Sequence, residues 1–380
     1  MKKKIIRYSL YLLFFIILVT AVSICVIKIK HKLIDNEIAS AKPDTQVYSI
    51  YYNSLTYREQ LLYNAVTYAT SEHHEMSSVI DSEYSMEEFQ DILSCIRADR
   101  PDLFYIDYDA LVLHKRTHQT KVEMKYIADG KKMREMCREY EKVVEKALEG
   151  INDSMSDFEK ELVLCHYVTD KCTYSAVSAD ELENTAYGAL VLGRASCDGY
   201  AFAVKDLLNK AFIESFVIYG KAKDNEHVWN MVNIDGEYYH LDVTWNDSDN
   251  KADDGLRFHG YFNLSDEKIK LDHHFKDEKD IIPKADSDNC YYKSIDCYTE
   301  DEEELEEILF NALCKSVEEE REYIELEYIF SKENTLLKPY FTNAADRVNE
   351  LYGEDILYNS FNVRPAADNS NAITIRIFYN

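Results

Sequence analysis

Glycine and proline are scarce in this chain, at 10 and 5 of 380 residues. Average usage is about 7% and 5%, so long Gly/Ser or polyproline linkers are excluded. No Cys-x-x-Cys pair occurs among the nine cysteines, which excludes the usual zinc-knuckle and dithiol redox motifs. Setting aside Cys25 and Cys197 leaves Cys95, Cys137, Cys165, Cys172, Cys290, Cys297 and Cys314, an odd number. Cys165 and Cys172 fall two turns apart on a predicted helix, roughly 10 Å and too far to bridge. A disulfide-stapled scaffold is therefore not expected. Basic charge is also short. The first 32 residues hold seven Lys and Arg and no acid, leaving 36 basic against 70 acidic residues, a net of −34. Such a body does not bind nucleic acid or an anionic surface by bulk charge. Its acidity suits solubility first, and Lys-rich peptide partners second.

What is present begins at the N-terminus. Met1-Lys2-Lys3-Lys4-Ile5-Ile6-Arg7 precedes an apolar run from Tyr8 to Ile27, and Lys28, Lys30 and Lys32 follow. The run has the ~20 residues of a bilayer-spanning helix and exceeds the roughly 7–15 of a signal-peptide core. Cys25 does not read as a lipoprotein cysteine, because Ile24 before it is too large. The pattern predicts an uncleaved anchor, with a signal peptide cleaved near Ala21 to Ser23 as the alternative. Four basic residues before it and three after place the N-terminus inside and the bulk of the chain outside.

The segment from Ala195 to Asp247 carries the chemistry. Cys197 opens an apolar helical pattern (Cys197, Ala201, Val204, Leu208; Tyr200, Ala203, Leu207, Ala211) that runs to about Ala211. Ser196 is the expected N-cap. A thiol in a first turn feels the positive end of the helix dipole, which favours the thiolate. Thirty residues on, His227 and Asp242 flank Asp235-Gly236, a type I′ hairpin signal. With that two-residue loop, Ile234 pairs with Glu237, Trp229 with Asp242 and His227 with Thr244. Alternation then places His227, Trp229, Met231, Tyr238, His240, Asp242 and Thr244 on one face, and Val228, Val232, Ile234, Tyr239, Leu241 and Val243 on a buried one. His227 and Asp242 become diagonal neighbours, roughly 7 Å apart at the backbone and within side-chain reach. A one-residue slip would separate them. Taken singly, each residue reads as ordinary packing, but Cys, His and Asp in this order and facing suit a thiol nucleophile, its base and the base's orienter.

These residues resemble a family. Tyr187-Gly188-Ala189-Leu190, Cys197-Asp198-Gly199-Tyr200-Ala201, His227-Val228-Trp229-Asn230 and Asp235-Gly236-Glu237-Tyr238-Tyr239-His240-Leu241-Asp242-Val243-Thr244-Trp245 are similar to the transglutaminase-like core of bacterial proteins. Tyr261-Phe262-Asn263-Leu264-Ser265-Asp266, then His273, resembles the segment that often follows it. The likeness covers roughly Asp157 to Phe275. It implies a papain-like α+β fold, with Cys197 as nucleophile, His227 as general base and acid, and Asp242 as orienter. It leaves open cross-linking, deamidation, peptide hydrolysis or an inactive member of the superfamily. One departure stands out: Phe212-Ile213 where such cores have Gly-Ile.

The remaining pattern is of flanking modules. The expected organisation is a basic segment and transmembrane anchor at 1–32, a mixed α+β module at 33–150, the core at 151–283 and a small α+β domain at 284–380. In the first module, helices are expected over Leu55–Ala69 and after the Ser85–Glu88 capping box, strands over Leu103–Leu113 and Lys121–Ile127, and a helix over Met133–Leu148. Tyr48-Ser49-Ile50-Tyr51 reads as strand-like. The last domain reads as strand Tyr291–Tyr298, helix Glu302–Val317, strand Glu322–Phe330, helix Thr335–Tyr352 and strands Ile356–Val363 and Ile373–Tyr379, a candidate partner-binding module. His73-His74 reads as exposed, and Asp247–Asp254 as a solvated loop rather than a calcium site. The expectation is a membrane-anchored, extracytoplasmic acyl-transfer enzyme on protein or peptide amides, needing no metal or cofactor. Tyr187 and Trp229 are candidate walls of its cleft. A catalytically weak binding module is the alternative, and a cytoplasm-facing chain would explain the reduced cysteines directly.

Overall fold

The computed structural model describes residues 15–20, 22–24, 48–176, 180–247, 258–275, 281–287, 290–329, 337–353, 356–365 and 372–379. Most of the expected anchor, Tyr8–Ile27, and most of the acidic loop Asp247–Asp254 lie outside them. Among the described residues no helix is long and apolar enough to cross a membrane. The chain divides into two compact units, Met1–Glu135 and Met136–Asn380.

In the first unit, helices α1 (Ile50–Ser54), α2 (Tyr57–Ser71) and α3 (Met86–Asp99) are followed by a hairpin, β1 (Val112–Arg116) and β2 (Gln119–Glu123). Capping boxes start two of the helices, Thr56 with Glu59 and Ser85 with Glu88. The strand-like Tyr48–Tyr51 run is instead the start of α1, whose Tyr51 and Tyr52 amides donate to the buried Asp99 carboxylate. The expected strand Leu103–Leu113 is also not formed. Pro101–Leu103 and Tyr108–Ala110 are 3₁₀ turns, the second capped by Asp107 accepting from the Ala110 amide at 3.1 Å. Leu103, Phe104, Tyr105 and Ile106 are all buried. A continuous apolar run shows no period, so it reads as strand although the turns win. Helix α4 (Gly130–Leu148) crosses the division between the units.

The second unit holds two four-stranded sheets. The first has the order β7-β6-β5-β8, from β5 (Ser215–Ala222), β6 (Asn225–Ile234), β7 (Glu237–Leu241) and β8 (His273–Phe275), all antiparallel. Before it run α5 (Asp157–Lys171), the short parallel pair β3 (Thr173–Tyr174) and β4 (Arg194–Ala195), and α6 (Cys197–Lys210). Helix α6 is buried from Gly199 through Asn209, and Asn230 of β6 ties to it by donating to the Ala201 carbonyl at 2.9 Å.

Helix α6 ends in a Schellman motif: the Ile213 amide donates to Leu208 O at 2.9 Å and the Phe212 amide to Asn209 O at 3.1 Å. The geometry requires a left-handed residue at Phe212, whose φ is 64°. The departure noted in the sequence thus keeps the glycine turn with a strained residue in it.

The second sheet has the order β11-β12-β10-β9, from β9 (Tyr298–Thr299), β10 (Tyr323–Tyr328), β11 (Leu357–Pro365) and β12 (Ala372–Tyr379). Helices α10 (Leu305–Glu318) and α11 (Leu337–Tyr352) cover it through Leu309, Leu313, Phe341 and Val348 against Leu326 and Ile375. The expected strand Tyr291–Tyr298 is replaced by helix α9 (Tyr291–Ser294) and by β9. Asp296 between them has φ 58°, which breaks extended pairing.

Candidate active site

Three elements converge on the site. Cys197 is the first residue of α6 and is half-buried. Its N-cap Ser196 makes no side-chain capping bond, and the Ser196 hydroxyl has no partner. The Ser196 side chain therefore does not cap the first turn of α6 beside the thiol. Gly199 lets this turn sit tightly: a Cβ there would lie 2.7 Å from the Glu183 carbonyl oxygen and 2.9 Å from that of Thr185. Backbone fills the space that a side chain at Gly199 would need.

His227 lies near the start of β6. Asp235 and Gly236, at φ 54° and 90°, form the two-residue turn, and the register runs from Ile234↔Glu237 to Asn230↔Leu241. The ladder stops there. The expected pairs Trp229–Asp242 and His227–Thr244 do not form, because Asp242 leaves the strand to cap α7 (Val243–Asn246). Its Oδ1 accepts the Trp245 amide at 3.1 Å. Asp242 Oδ2 still meets His227 Nε2, at 2.6 Å. Both faces of the hairpin are buried, not one: Trp229, Met231, His240 and Asp242 are as enclosed as Val232 and Leu241.

The electrostatics follow from this contact. Burial alone would lower the His227 pKa, but the Asp242 charge and hydrogen bond and a hydrogen bond with Cys197 raise it to about 10. With Nε2 on Asp242, that leaves Nδ1 for the thiol. Asp242 is held well below the carboxylate range: burial opposes its charge, and His227 and His273 outweigh it. The Cys197 thiol also lies 3.9 Å from the Asp198 carboxylate.

Residues 145–243 match the family model of the transglutaminase-like superfamily. The chain carries a transglutaminase-like core. Three solved structures are similar to part of this chain. One is described as a TGase, at 15% identity and TM-score 0.27, covering 35% of this chain and 43% of that one. A "putative cysteine protease" from Cytophaga hutchinsonii has 12% identity and TM-score 0.25, covering 35% and 61%. A "putative protease" from Parabacteroides distasonis has 10% identity and TM-score 0.22, covering 36% and 35%. The matched part spans less than two thirds of each of these proteins, and none bears on what this chain acts on. No curated protein matches the chain.

Around the transglutaminase-like core, the sequence did not assign a role to the neighbours of Asp242. His273, on β8, places Nε2 3.1 Å from Asp242 Oδ2 and Nδ1 2.5 Å from Asp272 Oδ1, and the Tyr261 hydroxyl donates to Asp272 Oδ2 at 2.6 Å. Strand β8 reaches the sheet at Gly220, where a Cβ would lie 2.3 Å from the His274 carbonyl oxygen. The signal available in the sequence was an acid beside a histidine in an aromatic surround. His227, Asp242 and His273 could each offer one atom to an ion. They do not fit one as placed: with ~2.0–2.1 Å bonds, the 2.6 Å His227–Asp242 separation would force an angle of roughly 80°, far from tetrahedral. These are hydrogen-bond distances.

Tyr187 and Trp229 are both buried, at 5% and 1% exposure. The Tyr187 hydroxyl donates to Glu139 at 2.9 Å, and the Trp229 indole N–H donates to His240 Nδ1 at 3.1 Å. His240 Nε2 in turn meets Asp266, the first residue of α8 (Asp266–Ile269), at 2.9 Å. Trp229 is thus tied within the hairpin to His240, and Tyr187 to Glu139 of α4. Among the described residues no cysteine is in a disulfide.

Proposed function

We propose that this chain is a thiol acyl-transfer enzyme of papain-like architecture acting on protein or peptide amides. The observation that carries the reading is the 2.6 Å contact of His227 Nε2 with Asp242, which leaves the other ring nitrogen to the Cys197 thiol. Cys197 as thiolate attacks the amide or carboxamide carbon. The developing oxyanion takes the Cys197 N–H at the start of α6. His227, as imidazolium, protonates the leaving amine or ammonia as the C–N bond breaks, giving a thioester. Water or an amine then attacks that thioester, His227 removes the proton from the attacking group, and the thiolate leaves. Asp242 holds the ring and stabilises its charge throughout. The residues perform every step, so no cofactor enters the scheme.

Hydrolysis and amine transfer diverge only at the second step. Glutamine peptides incubated with and without a primary amine, followed by mass spectrometry, distinguish amine adducts, deamidation and backbone cleavage. Absence of all three in wild type, or their persistence in Cys197→Ala, would sink this reading. The Tyr8–Ile27 run supports anchoring with the bulk of the chain outside the cytoplasmic membrane. Protease added to intact cells should then digest epitopes beyond Leu33, and full protection until lysis would reverse the topology.

A binding role is the second reading, and one observation favours it. A cavity of about 620 Å³ lies between α5 and the second sheet, away from Cys197. In it His166 Nε2 meets His259 Nε2 at 2.8 Å, and His259 Nδ1 meets Glu325 at 2.9 Å. An acidic C-terminal domain that captured a ligand there would need no working triad.

A further inference from the structure

His273 has a carboxylate against each ring nitrogen, Asp242 at Nε2 and Asp272 at Nδ1. A carboxylate accepts and does not donate. With Asp272 ionised, both of its oxygens accept, Oδ2 from the Tyr261 hydroxyl and Oδ1 from His273. Both nitrogens of His273 then carry protons, and a ring with two N–H groups is a cation. The surroundings hold it dry: His273 and Asp242 are 0% exposed, and Asp272 and Tyr261 are nearly so. The rings of Trp245, Trp229 and Tyr261 lie 4.7, 5.0 and 5.5 Å from its own.

That cation acts on the triad in two ways. Asp242 receives three donors, His227 and His273 at Oδ2 and the Trp245 amide at Oδ1, so its carboxylate cannot rotate away from His227. The His273 charge also sits 5.5 Å, ring to ring, from His227 and opposes a second positive charge there. We propose that His273 is a positioning residue, a permanent imidazolium between Asp242 and Asp272 that locks Asp242 and weakens its grip on the His227 proton. A histidine paired to a buried carboxylate alone would hold its proton too firmly to hand it to a leaving amine. The proposal rests on the triad reading of Cys197, His227 and Asp242, and adds to it the group that tunes the base. The charged groups facing His273 are Asp242, Asp272 and His227, with His240 acting from β7. Lys223 caps the outer face of Trp245 at 5.0 Å. The geometry and the raised His273 pKa agree in direction, burial being outweighed by the two carboxylates.

The test is long-range proton–nitrogen NMR of the full-length chain labelled at histidine nitrogen, with His227 and His273 assigned from His227→Gln and His273→Gln. At pH 7.5 both His273 nitrogens should show the protonated, imidazolium position. In His273→Gln the His227 midpoint, about 10 in wild type, should rise by roughly one pH unit, a tenfold change, from loss of one charge at this distance. An unprotonated His273 nitrogen at pH 7.5, or an unmoved His227 midpoint, overturns the proposal. If His273→Gln does not fold, Asp272→Asn replaces it and should move His227 the same way by less. The signals need no turnover. An inert Cys197 with a charged His273 would refute the activity and spare this inference, whereas a reactive Cys197 with a neutral His273 would do the reverse.

Discussion

Glu161 in α5 sets the sharpest test of the packing behind the site. It is 0% exposed. Its Oε2 accepts from the Asn263 amide at 2.8 Å and its Oε1 has no partner. Burial lifts this carboxyl to about 8, against 4.5 for an ordinary glutamate; the Asn263 bond pulls it down and the Asp157 charge adds to the rise. The folded chain therefore keeps a proton that the unfolded chain releases. The contribution to stability is full below pH 4.5, falls as pH rises, and is lost through pH 8. The slope approaches about 1.4 kcal/mol per pH unit, so some 3 kcal/mol disappears between about pH 5.5 and 8. Glu161→Gln keeps an acceptor for Asn263 and has nothing to ionise. Urea unfolding followed by tryptophan fluorescence is the assay, since the two tryptophans, Trp229 and Trp245, both lie in this core. Wild type should weaken over that pH range and the variant should lose about 3 kcal/mol less. Parallel pH dependence in the two would refute the buried-acid argument.

Two further substitutions probe the backbone. Phe212→Gly should stabilise the core by about 1 kcal/mol in the same unfolding assay, because left-handed strain of ~1–2 kcal/mol is relieved against a smaller entropic loss. No gain would mean the Phe212 side chain contributes contacts equal to its strain. Gly220→Ala should destabilise by about 1–3 kcal/mol and push β8 off β5, taking His273 from Asp242. Loss of the His273 imidazolium signal by NMR checks it, and an unchanged signal contradicts it.

The hairpin register was legible because Asp235-Gly236 admits one turn type, and a two-residue loop fixes every pair to Leu241. The helix opening at Cys197 was legible from its two apolar stripes. The end of β7 was not: an aspartate in a strand-like run is equally a cap, and only the competing Trp245 amide decides. The apolar run at Leu103 failed because burial on all sides erases period, and the Tyr291 segment because Asp296 turns left-handed inside it. His273 lies 31 residues from Asp242 in sequence, and local pattern carries no trace of which sheet edge β8 joins.

The central claim is that His227 activates Cys197, and alkylation of the thiols by iodoacetamide near neutral pH tests it without a substrate. Cys314 is as half-buried as Cys197 and serves as the comparison. Cys197 should label fastest, because it sits beside His227 at the start of α6, where a base can take its proton as it reacts. In His227→Ala its rate should drop at least tenfold while that of Cys314 holds. Equal rates for Cys197 and Cys314 in wild type, unchanged in His227→Ala, would contradict the account.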